Sequence, residues 1–326
     1  MAQQGSCQLT SRIIPTFSLL THSTGIRLYI CSRSGCCQAD FVERYGKWAV
    51  VTGATDGIGQ AIAKELARRG MSILLVGRNA EKLARSKALV EAEPNVGEVE
   101  TVRIDLSDSS LDNFASIRRQ IDPDNRDIGM LINNAGTFPS KFVRFNKFDM
   151  EDLVVIANLN MIAPLHMTRM IMPGMVSRGR GMVMNVSSLV GLITAPYWSI
   201  YSATKAFMNV FTHQLQIEYA SHPIDIVLLT PGPVTTRPFN EATHRKSSIV
   251  PGPDEYATKV VAAMSARPSS FSGCILHGLM RHGNNMFEQF GLTQAAFRFY
   301  LNMNARNFEL SPVPKRKNNS TAASRA

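Results

Sequence analysis

The chain has 326 residues with 44% hydrophobic content, enough to fill one large α/β domain or two small ones, which excludes a disordered or fibrous protein. Its formal charge of +10 suits nucleic acid, an anionic membrane surface or an acidic ligand alike, since each gains from a positive field. Four of its five cysteines, Cys7, Cys31, Cys36 and Cys37, crowd the first segment and Cys274 stands apart, which is neither a disulfide framework nor the paired spacing of a zinc ribbon, so no metal site is expected.

Before Asp40 there is no acidic residue, whereas Arg12, Arg27 and Arg33 stand among several serines. That composition reads as a mitochondrial-type presequence. A membrane-associated leader is the competing reading, although "IIPTFSLL" and "IRLYIC" fall well short of the roughly 20 residues of a spanning helix. Residues 1–44 are therefore read as a leader or targeting segment.

From Trp48 the runs "WAVVT", "SILLVG", "VETVRID", "GMLIN", "GMVMNVS", "IDIVLLT" and "FSGCIL" are short and mostly too apolar to have a wet face. Helical patterns separate them, the first being "QAIAKELARRG", closed by Gly70. This alternation predicts a Rossmann-type, doubly wound parallel sheet of about seven strands with helices on both faces, in a single domain over 45–307. The stretch "PVTTRPFNEATHRKSSIVPGPDEYA" between the sixth and seventh strands reads as a long functional loop. Beyond the last strand, "MFEQFGLTQAAFRFYLNMNA" reads as helical, and 308–326 as a basic disordered tail whose Lys315, Arg316 and Lys317 can meet anionic lipid.

The first strand runs directly into "TGATDGIG". Glycines are needed where a strand turns sharply into a helix and its backbone approaches a pyrophosphate, and the helix N-terminus then presents free N–H groups to the phosphates. Gly53, Thr55, Asp56, Gly57, Ile58 and Gly59 are thus expected to hold a dinucleotide. Arg78, where a carboxylate would meet a 2′-hydroxyl, instead suits a 2′-phosphate and implies NADP(H). Asp105, closing the third strand, is expected at the adenine edge or as the N-cap of the next helix.

Together "TGATDGIG", "NNAG" (Asn133 to Gly136), Asn160, "NVSS" ending in Ser188, "YSATK" from Tyr201 to Lys205, and "PGPVTT" from Pro231 resemble the short-chain dehydrogenase/reductase family over about Tyr45 to Asn307. "YGKWAVVTGATDGIG", "MPGMV", "IVPGPDEYA" and "LNMNARN" are similar to its branch of very-long-chain 3-oxoacyl-CoA reductases and 17β-hydroxysteroid dehydrogenases of types 3 and 12. That branch includes members whose tyrosine is lost.

The resemblance implies catalysis by Ser188, Tyr201, Lys205 and Asn160. A phenol with a pKa near ~10 is a poor proton exchanger at neutral pH, and an ammonium one helical turn away lowers that value. Lys205 is also implied to reach the cofactor ribose, Ser188 to donate to the substrate oxygen, and Asn160 to hold a water linked to Lys205. Asn134, Ala135, Gly136, Pro231, Gly232, Val234 and Thr236 are implied cofactor contacts, with Val234 at the carboxamide and Thr236 near the phosphates. Phe239, Met286, Phe287 and Phe290 either close over an apolar substrate or pack a core.

The expected function is NADPH-dependent reduction of a 3-oxoacyl-CoA or 17-ketosteroid, the alternative being a catalytically weak cofactor-binding protein that acts through interactions. The family implies a homodimer or homotetramer, with possible peripheral membrane association, and the endoplasmic reticulum, against the mitochondrial leader. Basic residues lack any groove-reading motif, so no nucleic-acid role is expected.

Overall fold

The structure is a computed structural model that describes residues 40–121, 126–139, 143–193, 195–236, 250–274 and 277–278. Residues 1–39, Phe239, Met286, Phe287, Phe290 and the basic tail, for which the sequence gives expectations, lie outside them.

Seven parallel strands form one sheet: β1 (Trp48–Thr52), β2 (Ser72–Gly77), β3 (Val99–Arg103), β4 (Ile128–Asn133), β5 (Met182–Val186), β6 (Asp225–Leu229) and β7 (Ser270–Phe271). Their order is β3-β2-β1-β4-β5-β6-β7. The chain winds outward from β1 through β2 to β3, then crosses back to β4 on the other side of β1. The carboxyl ends of β1 and β4 therefore flank a topological switch point, where a crevice opens.

Alternating side chains feed two cores, as period-2 geometry requires. On one face Ala49, Val51, Ile73, Leu75, Met130 and Met184 pack with α1 (Phe41–Tyr45), α2 (Gly57–Arg68), α3 (Ala80–Glu91) and α8 (Pro253–Met264). On the other, Val50, Leu74, Val76, Leu131, Val183 and Ile226 pack with α4 (Leu111–Ile121), α6 (Ala163–Arg178) and α7 (Ser199–Glu218). Central strands are buried along their whole length while the edge strand β3 buries only Val99 and Val102, which is why the runs differ in apolarity.

Between β4 and α6, α5 (Met150–Ala157) continues through one π-helical turn, Asn158–Ile162, into α6. Met150–Arg178 is long and apolar enough to cross a membrane by length and composition. Met167, Ile171 and Met175 of this stretch are buried against the sheet.

Three boundaries differ from the sequence reading by more than one residue. β3 ends at Arg103 because Asp105 turns its carboxylate onto the Ser107 N–H (2.9 Å) and hydroxyl (2.7 Å), and the chain leaves the sheet. β7 stops at Phe271, since the Ser272 carbonyl is taken by the Tyr256 hydroxyl at 3.0 Å rather than by a strand. The end of the expected long loop is α8: Pro253 opens it, where a missing N–H costs nothing, and Asp254 and Glu255 favour its positive end.

Below the crevice a buried amide chain ties β4 to β5 and to the second helical layer. The Asn133 amide donates to Thr168 Oγ1 (3.0 Å) and Asn185 Oδ1 (2.9 Å), and the Asn185 amide donates to Thr212 Oγ1 (3.0 Å). Replacing Asn185 by Leu keeps the volume but strips partners from groups that cannot reach water, at a cost of about 2 kcal/mol. Urea unfolding of Asn185→Leu should show that loss as a lower midpoint with an unchanged slope.

Candidate active site

The turn after β1 is built for close approach. Asp56 caps α2 through a 2.8 Å bond from the Gly57 N–H. A Cβ on Gly59 would lie 2.2 Å from Asn134 Nδ2 and 2.5 Å from the Gly53 carbonyl, so only glycine lets the helix start this near β4. The Asn134 amide spans the switch point, donating to the carbonyls of Thr52 (3.0 Å) and Gly53 (3.2 Å). Thr52 Oγ1 in return accepts the N–H groups of Asn134 and Ala135, each at 3.0 Å.

Above this junction lies a groove of about 580 Å³. Gly53, Thr55, Asp56, Gly57 and Ile58 line it, with Arg78, Asp105, Asn134, Ala135, Gly136 and Thr236, so most of the expected cofactor contacts converge there. Thr236 comes from the loop after β6 and packs on Gly57, with a methyl 3.0 Å from where a Cβ would stand.

Arg78 is largely exposed and sits 3.7 Å from Asp105 Oδ2. Asp105 lines the groove and is not the N-cap of α4, whose first turn is bonded by Ser110. Partial burial opposes the Asp105 charge, but the bonds from Ser107 and the cation of Arg78 outweigh it and hold the pKa below the usual carboxylate range. Lys82, absent from the sequence reading, joins Arg78 at this end of the groove. Its signal was legible in "GRNAEK", a second cation in the first turn of α3. Asn79, Leu106, Thr137 and Phe138 also line the groove and were not foreseen.

The helix α7 brings Tyr201 and Lys205 to the exit of β5. Ser187 Oγ donates to the Lys205 carbonyl (2.8 Å), Ser202 Oγ to the Val190 carbonyl (2.9 Å), and the Asn209 amide to the Gly191 carbonyl (3.1 Å). These bonds fix the loop holding Ser188 against the helix. Ser188 Oγ accepts the Val190 N–H at 3.2 Å, which leaves its own proton to donate outward. The Tyr201 phenol faces this hydroxyl.

Lys205 is buried, and its ammonium donates to the Val186 carbonyl at 3.0 Å. It lies 5.8 Å from the Tyr201 ring centre. Phe138 and Trp198 pack edge-on to that ring at 6.0 and 5.5 Å, a feature carried by no motif. Burial shifts both groups toward neutrality: it raises the Tyr201 pKa against the Ser188 bond and lowers that of Lys205 to about 8. The expected depression of the phenol by its neighbouring cation is therefore not found in this pocket, where desolvation dominates.

Asn160 is buried in the π-helical turn. Its Oδ1 accepts the Thr137 N–H (2.8 Å), and its amide donates to the Thr137 carbonyl (2.8 Å) and to Thr204 Oγ1 (3.0 Å). Both amide protons are used, so the side chain straps the loop after β4 to α7. The Pro231 carbonyl accepts the Leu189 N–H at 2.9 Å, Val234 is buried, and Gly232 packs on His277, so of "PGPVTT" only Thr236 lines the groove.

Residues 47–247 match the short chain dehydrogenase family. The chain belongs to that family. It is thus an oxidoreductase of alcohol and ketone groups that uses a nicotinamide cofactor. The very-long-chain 3-oxoacyl-CoA reductase-B of Danio rerio is 35% identical over 81% of this chain and 82% of that protein. Inactive hydroxysteroid dehydrogenase-like protein 1 of Homo sapiens is 38% identical over 73% of this chain and 72% of that protein. Among solved structures, a short-chain dehydrogenase from Sphingobium yanoikuyae in complex with NADPH superposes with a TM-score of 0.64 at 27% identity, covering 76% of this chain and 95% of that one. The sequence resemblance to the family and its 3-oxoacyl-CoA reductase and hydroxysteroid dehydrogenase branch is thereby borne out.

The depressed Lys205 pKa has a consequence for stability. Its folded value of about 8 lies below the model-peptide 10.5, so between the two the unfolded chain binds more protons and stability rises with pH. Relative to Lys205→Met, the ligand-free protein should gain about 2 kcal/mol between roughly pH 7 and pH 9.5, measured by urea unfolding at each pH. A flat difference would mean that Lys205 titrates alike in both states.

Proposed function

We propose that the protein is an NADPH-dependent reductase of a ketone on a long apolar substrate, a 3-oxoacyl-CoA or a 17-ketosteroid, with Tyr201 as proton donor. The observation that carries this reading is the convergence of half-buried Ser188 and Tyr201 with buried Lys205 at the C-terminal end of β5, beside a groove with two cations at its far end.

The groove fits a phosphorylated dinucleotide. The free N–H groups of α2 and Thr236 suit the pyrophosphate, Arg78 and Lys82 the 2′-phosphate, and Asp105 the adenine edge. Lys205 and Tyr201 suit the ribose, with the Val234 backbone at the carboxamide. Bound and reduced, the dinucleotide supplies the hydride. Tyr201 gives its proton to the ketone oxygen; burial holds that proton more tightly in the ligand-free pocket, so its transfer depends on the negative charge that grows on the oxygen beside Lys205. Ser188 donates its hydroxyl proton in a bond to the same oxygen, and the nearby charge of Lys205 favours the negative charge that grows there. Asn160 positions Thr137 and α7 rather than holding a water by its amide.

Phe138 and Trp198 give the mouth of the pocket an apolar wall suited to an acyl chain or a steroid. The names of the curated relatives support that substrate class. Exposed Val154 on α5, with Val210 and Ile217 on α7, suits burial between copies in a homodimer or homotetramer. We place the protein at the endoplasmic reticulum by its branch, with the mitochondrion as the alternative; imaging the full chain beside one starting at Asp40 separates them.

A second reading, a cofactor-binding protein with little turnover, is favoured by the relatives named inactive. Retention of Tyr201 opposes it. NADPH consumption with a panel of 3-oxoacyl-CoA and 17-ketosteroid substrates discriminates the two, since the second requires binding without consumption.

Tyr201→Phe should bind NADPH within about twofold of the parent while kcat falls about 10²-fold or more. Parental turnover in that variant would remove Tyr201 from the role of proton donor. Arg78→Ala should weaken NADPH by about tenfold and leave NADH nearly unchanged, read by fluorescence titration. An equal loss for both cofactors would refute the 2′-phosphate assignment.

A further inference from the structure

His277 has no part in the reading above, yet it is fully buried, with both ring nitrogens against carbonyl oxygens. Nε2 lies 2.9 Å from the Pro233 carbonyl and Nδ1 3.3 Å from that of Ser272. Carbonyls only accept, and a neutral imidazole has one N–H to give. The Ser272 carbonyl already receives the Tyr256 hydroxyl at 3.0 Å, whereas the shorter contact falls on Pro233. The proton is therefore assigned to Nε2. Burial lowers the His277 pKa and so favours the neutral ring.

The loop "PGPVTT" explains why such a donor matters. Pro231 and Pro233 have no N–H, so this end of the loop is fixed largely through its carbonyls. The Pro231 carbonyl is held by the Leu189 N–H at 2.9 Å, and the far end by the Thr235 N–H on the Pro251 carbonyl at 3.0 Å. Between them the Pro233 carbonyl, next to Val234, is held by His277. The fit is close: a Cβ on Gly232 would stand 2.6 Å from His277 Cδ2.

We propose that His277 is a positioning residue that clamps the Pro233 carbonyl and so fixes the Val234 backbone, which the proposed reading sets against the nicotinamide carboxamide. The inference rests on the proposed reading of that groove and adds a residue to it. It makes His277 matter for the nicotinamide and not for the adenine end of the same cofactor.

Titrations with NADPH and with 2′-phospho-ADP-ribose, which lacks the nicotinamide, test it on the full chain. His277→Leu should weaken NADPH by about tenfold, the worth of one buried hydrogen bond, with 2′-phospho-ADP-ribose unchanged within twofold. His277→Gln, whose amide takes the place of Nε2–H, should recover most of the loss. Gly232→Ala pushes on the ring from the loop side and should show the same selective loss even if His277→Leu fails to fold. Equal weakening of both ligands, or of neither, in these variants overturns the clamp. Wild-type protein that binds no nicotinamide dinucleotide overturns the groove reading, and the clamp with it.

Discussion

The close approach of the loop after β5 to the backbone of α7 sets the geometry on which the active site depends. A Cβ on Gly191 would stand 2.6 Å from the Lys205 carbonyl carbon, so the loop lies directly on the helix. Ser187, Ser202 and Asn209 then bond across the contact. Ser188 and Tyr201 belong to different elements, and their separation is fixed by this contact rather than by either element alone. The π-helical turn adds a third anchor, because Asn160 reaches both Thr137 and Thr204 from a point that an uninterrupted α-helix would rotate away.

This rigidity lets the pocket hold two ionisable groups in surroundings that disfavour charge. Burial moves Tyr201 up and Lys205 down, so each is driven toward its neutral form. The Val186 carbonyl meets only part of what a buried ammonium needs. A negative charge growing on a ketone oxygen nearby would relieve both: it would accept the phenolic proton and offer the ammonium a counter-charge. Preorganised donors in a dry pocket are most valuable to charge that appears only during reaction.

Much of the fold was legible because buried parallel strands leave continuous apolar runs. β1 and β2 match their runs residue for residue, and the glycine turn lies where strand meets helix. The boundaries that moved are set by side chains from elsewhere: the Tyr256 hydroxyl captures Ser272 and ends β7, and the Asp105 carboxylate captures Ser107 and ends β3. Tyr201 with Lys205 was readable from helical spacing, as was Arg78 from its place after β2. Phe138 and His277 were not, since partners 60 or 44 residues apart leave no local pattern. The Tyr201 pKa departs from the expectation set by helical spacing for a related reason. Spacing reveals the nearby cation but not how dry the pocket is.

The two ends of the sheet put charge to different uses, and this separates stability from binding. At the amino ends of the strands acids meet their partners: Asp127 takes Arg178 and Arg180, and Asp225 takes Arg267 and the Tyr45 hydroxyl. These contacts tie α1 and α6 to the sheet. At the carboxyl ends Arg78 and Lys82 line the groove with Asp105 as the carboxylate beside Arg78, and α2 adds its positive terminus. Asp56 and Asp105 offset the two cations in number, so attraction for an anionic cofactor rests on where Arg78, Lys82 and the α2 terminus stand along the groove rather than on its net charge. Substitutions at the amino ends should therefore register in folding, and those along the groove in affinity and its dependence on salt.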